Sequence, residues 1–502
     1  MPERRTDRWL LLLAALVGAR LLLMIWLPLA DTSEPRYAEI ARIMAVTGDW
    51  ITPWFEPGTP FWGKPPLAFW ASAASFKLLG MTAFAARLPA LLATLATLGL
   101  VHALGRHLFD RQVARRAVLV LASCILVYVS AGAVLTDAYL ALAVTLSLTS
   151  FVLAPVHPSA LWRYGGFVGL AIGLLAKGPL AVVLVFAVLL PWTLWHGTLG
   201  RHVRAIPWLP GLMLTAVLAL PWYVMAEMKT PGFLNYFIIG EHFSRFLDAG
   251  WQGDRYGTAH DQPHGRIWLE WLFATLPWSP VAIWLACRGK AWRHTARLGR
   301  RGDSRLTLLA LWALFTPAFF TFSGNILWTY VLPALPAFAL WVAWGLSSRK
   351  ETRRERPVAN TAIRPSREPV VLRALPLFMA AVALALTAIS AAKPDLLKSE
   401  GTLVQAYARS AASAQPLVYV DSRPFSARFY SHGQARLAGL ADVPALLARS
   451  TAGLFIAVPK DRQTDLAGTL GRPLPEPAAM NRRYVLYFLD GTAARAPAPA
   501  AS

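Results

Sequence analysis

The sequence predicts a polytopic α-helical membrane protein of about eleven spans, followed by a small C-terminal α/β domain. Three observations carry this. Of 502 residues, 56% are hydrophobic and 15% charged, and the mean hydropathy is +0.44, a balance that a water-soluble chain of this size does not need. The apolar residues fall in runs close to the ~20 that cross a bilayer. The 21 Trp and 13 Tyr suit the aromatic belts that many spans carry at their interfaces.

The candidate spans lie at 9–29, 87–105, 117–135, 138–154, 163–176, 179–196, 206–225, 267–287, 306–322, 326–346 and 373–391. A backbone in lipid must satisfy its own hydrogen bonds, so these runs are expected to be helices. The start, MPERRTDRW, is basic and leads into an apolar run with no small-residue cleavage site after it. It reads as a retained first span with a cytoplasmic N-terminus. Segments 106–116, 155–162, 196–204, 288–305 and 347–373 then fall inside, and four of these are plainly basic. The positive-inside rule therefore absorbs most of the net charge of +22, and nucleic-acid binding is not needed to explain it. The loop 30–86, the junctions at Thr136-Asp137 and Lys177-Gly178, the loop 226–266 and everything beyond 392 fall outside.

The domain plan that results is a transmembrane unit over 1–392 with outer loops 30–86 and 226–266, an α/β domain over 393–490, and a low-complexity tail over 491–502 expected to be disordered. The runs LVYV, GLFIAV and YVLYFL read as strands between Ala-rich helical segments. Cys124 and Cys287 have neither a disulfide framework nor a metal spacing. There is no P-loop, G-x-S-x-G or H-E-x-x-H, which removes ATP hydrolysis and two hydrolase classes.

The chemistry concentrates on the outer face. In the first loop, Asp31, Glu34, Arg36 and Tyr37 open a helix whose apolar stripe of Tyr37, Ile40, Ala41 and Met44 places it along the membrane surface. Glu34 is a candidate general base or metal ligand and Arg36 an anion clamp. The alternative is a solvated helix capped by Asp31 or Ser33. Lys64, in G-K-P-P, sits on a proline-stiffened turn, where a preorganised ammonium suits a phosphate; a snorkelling lysine is the plainer reading. Asp137 between two apolar runs, and Lys177 at a helix break, are ionisable groups close to hydrocarbon, where such groups are costly and usually functional. Asp137 could equally cap the following helix. The second loop adds Glu241, His242 and Arg245, followed by Asp254, His260, Asp261 and His264, a His/Asp cluster whose spacing fits no standard zinc site. Cations, carboxylates and aromatic rings at a membrane mouth suit a substrate that is half lipid and half polar. A donor on this face would have to carry its own leaving group, and a lipid phosphate qualifies.

The run R-Y-A-E-I-A-R, then G-D-W, K-P-P-L, T-D before the fourth span, K-G-P after the fifth and a late L-P-A-L-P resemble the bacterial GT-C glycosyltransferases of the family 39/83 type, which include lipid A aminoarabinose transferases and relatives of protein O-mannosyltransferases. The resemblance spans roughly 8–390. It implies a multi-pass enzyme of a bacterial inner membrane with a periplasmic C-terminal domain. It also implies transfer of a sugar from a polyprenyl-phosphate donor to a lipid or protein acceptor. Carried onto this chain, it matches Asp137 to a functional acidic position, Arg36, Tyr37, Lys64 and Lys177 to donor-phosphate or cavity positions, and His242 and Arg245 to the second-loop region; with the reading of the loops, the catalytic candidates are Glu34, Asp137 and Asp31, the donor-phosphate candidates Arg36, Tyr37, Lys64, Lys177 and Arg245, and the second-loop candidates Glu241 and His242. Two positions depart from the family: Ser33 stands where an Asp precedes Glu, and Gly63 where a metal-associated Glu precedes K-P-P-L. No metal or other cofactor is therefore expected. The competing reading is a transporter or flippase of a lipid-linked sugar.

Overall fold

The computed structural model describes residues 7–248, 250–257, 260–287, 303–347, 369–411 and 415–491. The basic runs at 288–302 and 348–368, and the segment 492–502 expected to be disordered, lie outside the described residues.

Every candidate span falls on helix. The helices are α1 (Asp7–Trp26), α2 (Ser33–Thr47), α3 (Leu67–Leu79), α4 (Ala83–Leu108), α5 (Arg111–Ala122), α6 (Ile125–Ser130), α7 (Asp137–Leu153), α8 (Ala160–Lys177), α9 (Leu180–Trp195), α10 (Leu199–Ala205) and α11 (Trp208–Lys229). Beyond them come Arg266–Ala274, Ser279–Cys287, Ser304–Phe320, Leu335–Ser347 and Val371–Ala392. Five described helices are long and apolar enough to cross a membrane: Arg8–Trp26, Ala83–Leu108, Trp208–Lys229, Trp328–Ser347 and Val371–Ala392. The chain is an integral membrane protein by this measure. Several other expected spans are shorter apolar helices that pack inside the bundle. α7 is buried almost all round. It lies against α8, where Gly169 has no room for a side chain because a Cβ would strike Ser147 and the Ala143 carbonyl, the close approach that small residues permit between membrane helices.

Two expected spans are interrupted, and each interruption supplies the other. The run 117–135 breaks between α5 and α6, and the run 267–287 breaks before Pro277. The Ile125 amide donates to the Leu276 carbonyl at 2.8 Å, and Trp278 Nε1 donates to Ser123 Oγ at 2.9 Å. Backbone groups freed within an apolar bundle find partners in the neighbouring break.

The first outer loop departs from expectation. α2 is covered by protein rather than solvated: ten of its residues from Pro35 to Ala45 are buried. It packs between α3 and the tail helix Phe425–Tyr430. Burial is tolerable because Arg42 and Glu39 neutralise each other with two bonds of 2.7 and 2.8 Å. Neither Asp31 nor Ser33 caps it through its side chain.

The tail forms a mixed sheet in the order β4-β3-β5-β7-β6, built from β3 (Leu417–Val420), β4 (Arg436–Ala438), β5 (Leu454–Pro459), β6 (Ala479–Met480) and β7 (Tyr484–Leu489). β3 runs parallel to β4 and β5, while β7 is antiparallel to β5 and β6. The two-stranded ribbon of β1 (Trp54–Glu56) and β2 (Thr59–Pro60) lies in the first loop. Arg428, from the tail, holds the carbonyl of Phe55 at 2.6 Å and Glu56 at 2.9 Å.

Candidate active site

A cavity of about 290 Å³ opens where the two outer loops meet the ends of α8 and α9. Lys64, Lys177, Glu241, His242, Arg245 and Asn325 give it polar groups. Leu180, Val183, Phe243, Phe246, Phe319 and Phe320 make its apolar wall.

Local chain chemistry aims these groups. Pro65 and Pro66 stiffen the turn that carries Lys64 into α3. Lys177 is the last residue of α8, and the next residue, Gly178, has φ +78°, a conformation open to glycine at little cost. A Cβ there would also press on the Phe237 and His242 rings. Glu241 and His242 sit on a ten-residue π-helix, Asn235–Ser244, with Arg245 directly after it. π-helical turns are rare and concentrate at functional sites. Gly240 permits this one to meet Trp251, whose ring would lie 2.5 Å from a Cβ.

The charges form two linked groups. Glu241 bridges Lys64 at 2.9 Å and Arg245 at 3.0 Å, and Arg245 also reaches Asp254 at 3.3 Å. Lys177 pairs with Asp137 at 2.6 Å and lies 4.7 Å over the Tyr330 ring. Burial opposes the charge on Glu241, yet Lys64 and Arg245 hold its carboxyl below the usual range. Burial likewise opposes the Lys64 charge, but Glu241, with Tyr37 and Tyr330, holds the ammonium above its ordinary value. Arg245 is raised in the same way, against burial, by Glu241 and Asp254. Burial lowers the His242 pKa although its two carbonyl partners work against this.

Of the residues read from the sequence, Lys64, Lys177, Glu241, His242 and Arg245 come together in the cavity. Asp137 joins them through Lys177 without lining it. Glu34, Asp31, Arg36 and Tyr37 do not line it. Both Glu34 oxygens are committed: Oε1 accepts from Arg87 Nε and the Val134 amide, each at 3.1 Å, and Oε2 from Arg87 at 2.8 Å. Glu34 and Asp137 thus flank one short loop, 131–136, but answer to different cations. Asp31 accepts from the Ser426 amide and hydroxyl and from Arg483 at 2.5 Å, which ties the first loop to the tail. Arg36 donates to the Tyr256 carbonyl at 2.5 Å and lies over the rings of Tyr37, Phe61 and Phe425. Tyr37 is buried edge-on to Phe61 and Phe69.

The donor set does not fit a zinc ion. Gly63 offers no carboxylate, and both His242 nitrogens face backbone carbonyls, of Phe237 at 2.8 Å and Lys177 at 3.0 Å. Among the described residues no group of three His, Cys, Asp or Glu side chains could hold a metal.

Sequence reasoning passed over Tyr330 and Asn325, and it named Asp254 only as part of a His/Asp cluster in the second loop. Asn325 and Tyr330 stand in S-G-N-I-L-W-T-Y between two apolar runs, and an amide at such a junction was a readable signal of the same kind as Asp137.

This helical bundle with two outer loops and an α/β tail has the fold of the GT-C membrane glycosyltransferases. It matches the crystal structure of ArnT from Cupriavidus metallidurans bound to undecaprenyl phosphate with a TM-score of 0.73 at 20% identity, over 96% of this chain and 98% of that one. The apo form of that protein matches with a TM-score of 0.74 at 19% identity, over 99% of this chain and 100% of that one. Residues 20–237 match the family described as dolichyl-phosphate-mannose-protein mannosyltransferase, so the resemblance to GT-C transferases read from the motifs stands. The chain is 31% identical to an undecaprenyl phosphate-α-4-amino-4-deoxy-L-arabinose arabinosyl transferase of Pseudomonas fluorescens, over 63% of this chain and 53% of that protein. It is also 31% identical to the protein of that name in Shewanella sediminis, over 68% of this chain and 61% of the other. It thus spans a little over half the length of these curated relatives.

Proposed function

We propose that this chain is a glycosyltransferase of a bacterial inner membrane that moves a sugar from a polyprenyl-phosphate donor to a lipid or protein acceptor at the periplasmic face. The N-terminus would be cytoplasmic and the C-terminal domain periplasmic. One observation carries the reading: three cations, Lys64, Lys177 and Arg245, share a cavity with a wall of phenylalanine and aliphatic side chains. A phosphate with an isoprenoid tail needs both surfaces side by side. The names of the relatives, and the undecaprenyl phosphate held by the Cupriavidus protein, support the same donor.

In the proposed reaction an acceptor oxygen attacks the anomeric carbon, and the bond from that carbon to the phosphate oxygen breaks. The electron pair leaves with the phosphate. Lys64, Lys177 and Arg245 take up the developing charge, as cations already fixed beside the leaving group can without reorganising. A hydroxyl acceptor also gives up a proton, and the reading assigns its orientation or removal to a carboxylate. Asp137, bound to Lys177, and Glu241, in the cavity, are the acids nearest the cations. Glu34 and Asp31, saturated by their partners, hold the loop in place. A single displacement inverts the anomeric centre.

The protein in lipid nanodiscs should bind undecaprenyl phosphate by native mass spectrometry. Membranes from cells with and without the gene should differ in the mass of lipid A or of surface glycans. Binding without any change in glycoconjugates, together with movement of the lipid-linked sugar across the bilayer, would turn the assignment to a transporter.

A further inference from the structure

We propose that Glu241 is a specificity-determining residue of this cavity, whose carboxylate disfavours the phosphate monoester left after transfer relative to the phosphodiester of the sugar donor, so that the spent lipid does not block the site. The inference rests on the reading of the cavity as a polyprenyl-phosphate-sugar site and adds what sets its preference between donor and product.

The two lipids differ in charge. In the donor the phosphate is a diester between lipid and sugar, with one ionised oxygen. When the bond from the anomeric carbon to the phosphate oxygen breaks, the electron pair stays on that oxygen, and the acceptor hydroxyl gives up its proton. The phosphate left on the lipid is a monoester, which carries about −1.5 to −2 at pH 7. A site built of cations alone would hold this product more tightly than the donor, and turnover would stall on it.

The cavity is not built of cations alone. Lys64, Lys177 and Arg245 stand against three carboxylates, Glu241, Asp254 and Asp137, each ion-paired with at least one of them. Of the three acids only Glu241 lines the cavity. It also spans two cations, through Oε2 to Lys64 at 2.9 Å and through Oε1 to Arg245 at 3.0 Å. The Tyr236 hydroxyl, on the same π-helix, donates to Oε1 at 3.4 Å and helps hold it there.

Both cations keep an accessible side. The Lys64 side chain is 24% exposed and that of Arg245 20%, against 5% for Glu241. A phosphate can therefore reach the ammonium and the guanidinium without touching the carboxylate. An oxygen bonded to the Lys64 ammonium would still lie within about 6 Å of Glu241, two hydrogen-bond lengths end to end. Held between two cations, the carboxylate stays ionised at neutral pH, and a phosphate in this position meets a fixed negative charge. Coulomb energy is proportional to the charge of the ligand. Whatever factor Glu241 takes from the affinity of a monoanion, it takes about the square of that factor from a dianion.

The test uses the whole protein in nanodiscs and two probes that differ in that charge: undecaprenyl phosphate and its methyl ester, a diester without a sugar. Glu241→Gln should tighten binding of the methyl ester about threefold and of undecaprenyl phosphate about tenfold, so the ratio of the two affinities rises about threefold over wild type. Glu241→Asp keeps the charge and should leave the ratio within about twofold of wild type. Without the carboxylate Lys64 and Arg245 lose a counter-ion, which can cost stability, so melting is read as well. Undecaprenyl phosphate should raise the melting temperature of Glu241→Gln by more than it raises that of wild type, and the methyl ester should do so to a smaller extent. A Glu241→Gln protein that shows neither the higher ratio nor the larger stabilisation overturns the proposal. Weaker binding of both lipids in that variant makes Glu241 a residue that only aims the cations, and overturns it too. A ratio that rises as far in Glu241→Asp assigns the effect to shape, with the same consequence. A wild type that binds neither lipid overturns the donor reading itself, which is a different result.

Discussion

Where the first outer loop meets the bundle and the tail, carboxylates are locked to arginines of distant elements; around the cavity, cations share carboxylates beside an open apolar wall. At the junction Arg87 gives its protons to Glu34 and to the carbonyls of Met24, Leu27 and Pro28. Arg483 spans Asp31 and Glu400. In the cavity the cations also have counter-ions, yet Arg245 Nε and Asn325 Nδ2 are buried with no partner among the described residues. Both regions are rich in ion pairs, so charge density does not separate structure from function here. What separates them is the cavity, which Lys64, Lys177 and Arg245 line and Arg87 does not.

The largest expected effect breaks the saturated side. Arg87 is 1% exposed, and Glu34→Ala leaves its charge buried without a carboxylate. Removing one partner of such a pair costs about 3–5 kcal/mol. The variant should lose most of its folded yield and melt far earlier by size-exclusion fluorescence. A Glu34→Ala protein that melts like wild type but transfers no sugar would return Glu34 to the chemistry.

The second effect falls on the cavity and should leave the fold largely alone. Lys64→Ala and Arg245→Ala should each weaken undecaprenyl phosphate binding by about 10- to 100-fold, the worth of one charge-assisted contact. Lys64→Arg should restore only part of it, because a planar fork does not replace a point charge on a fixed turn. Equal thermal loss with unchanged affinity would make Lys64 a structural cation like Arg87.

How much of this the sequence disclosed follows the same division. The spans were legible because lipid imposes length and hydropathy on every one of them. Lys64, Asp137 and Lys177 were legible because each sits beside a proline or at a helix end, next to an apolar run. The partners were not. Arg87 reads as an interfacial cation at the start of a span, and nothing local ties it to Glu34 in another helix. α2 reads as a surface helix because the tail that covers it begins hundreds of residues later. The π-helix is invisible to a periodicity argument, since ten residues give barely two turns.

Proton linkage sharpens the contrast with a smaller effect. Glu241 has its folded pKa below its unfolded value, held there by Lys64 and Arg245 against burial. Its stabilisation is fully present above the unfolded value and is lost as pH falls through the folded one. Glu400, at the junction, goes the other way: burial raises its pKa although Arg483 opposes this. It takes up a proton on folding between the two values, so stability falls as pH rises through that window. A tenfold difference in proton affinity between the folded and unfolded chain is worth about 1.4 kcal/mol. Melting curves across pH should show that Glu241→Gln removes a loss on the acid side of the ordinary glutamate range, and Glu400→Gln a loss on its alkaline side. Identical pH profiles in both variants would dissolve the distinction.

The smallest expected effect is none at all, and it concerns metal. In the proposed reaction a divalent ion would serve the same end as Lys64, Lys177 and Arg245, by taking up charge on the departing phosphate. The cavity already brings these three cations together. Glu34 is paired with Arg87, and Asp31 with Ser426 and Arg483, while the His242 ring sits between two carbonyls, to one of which a neutral imidazole donates. Gly63 adds no ligand. Zinc takes about four ligands, and a site short of carboxylate and imidazole binds weakly. Transfer by protein purified without chelator should therefore be unchanged by EDTA, and metal measured by plasma mass spectrometry should fall well below one per chain. Replacing Gly63 with Glu tests the same idea from the other side. The new carboxylate would compete with the phosphate for Lys64, so donor affinity should drop, and added zinc should restore part of it. Near-stoichiometric zinc in the wild type, lost together with activity on chelation, would mean that His242 gives up a carbonyl to bind metal.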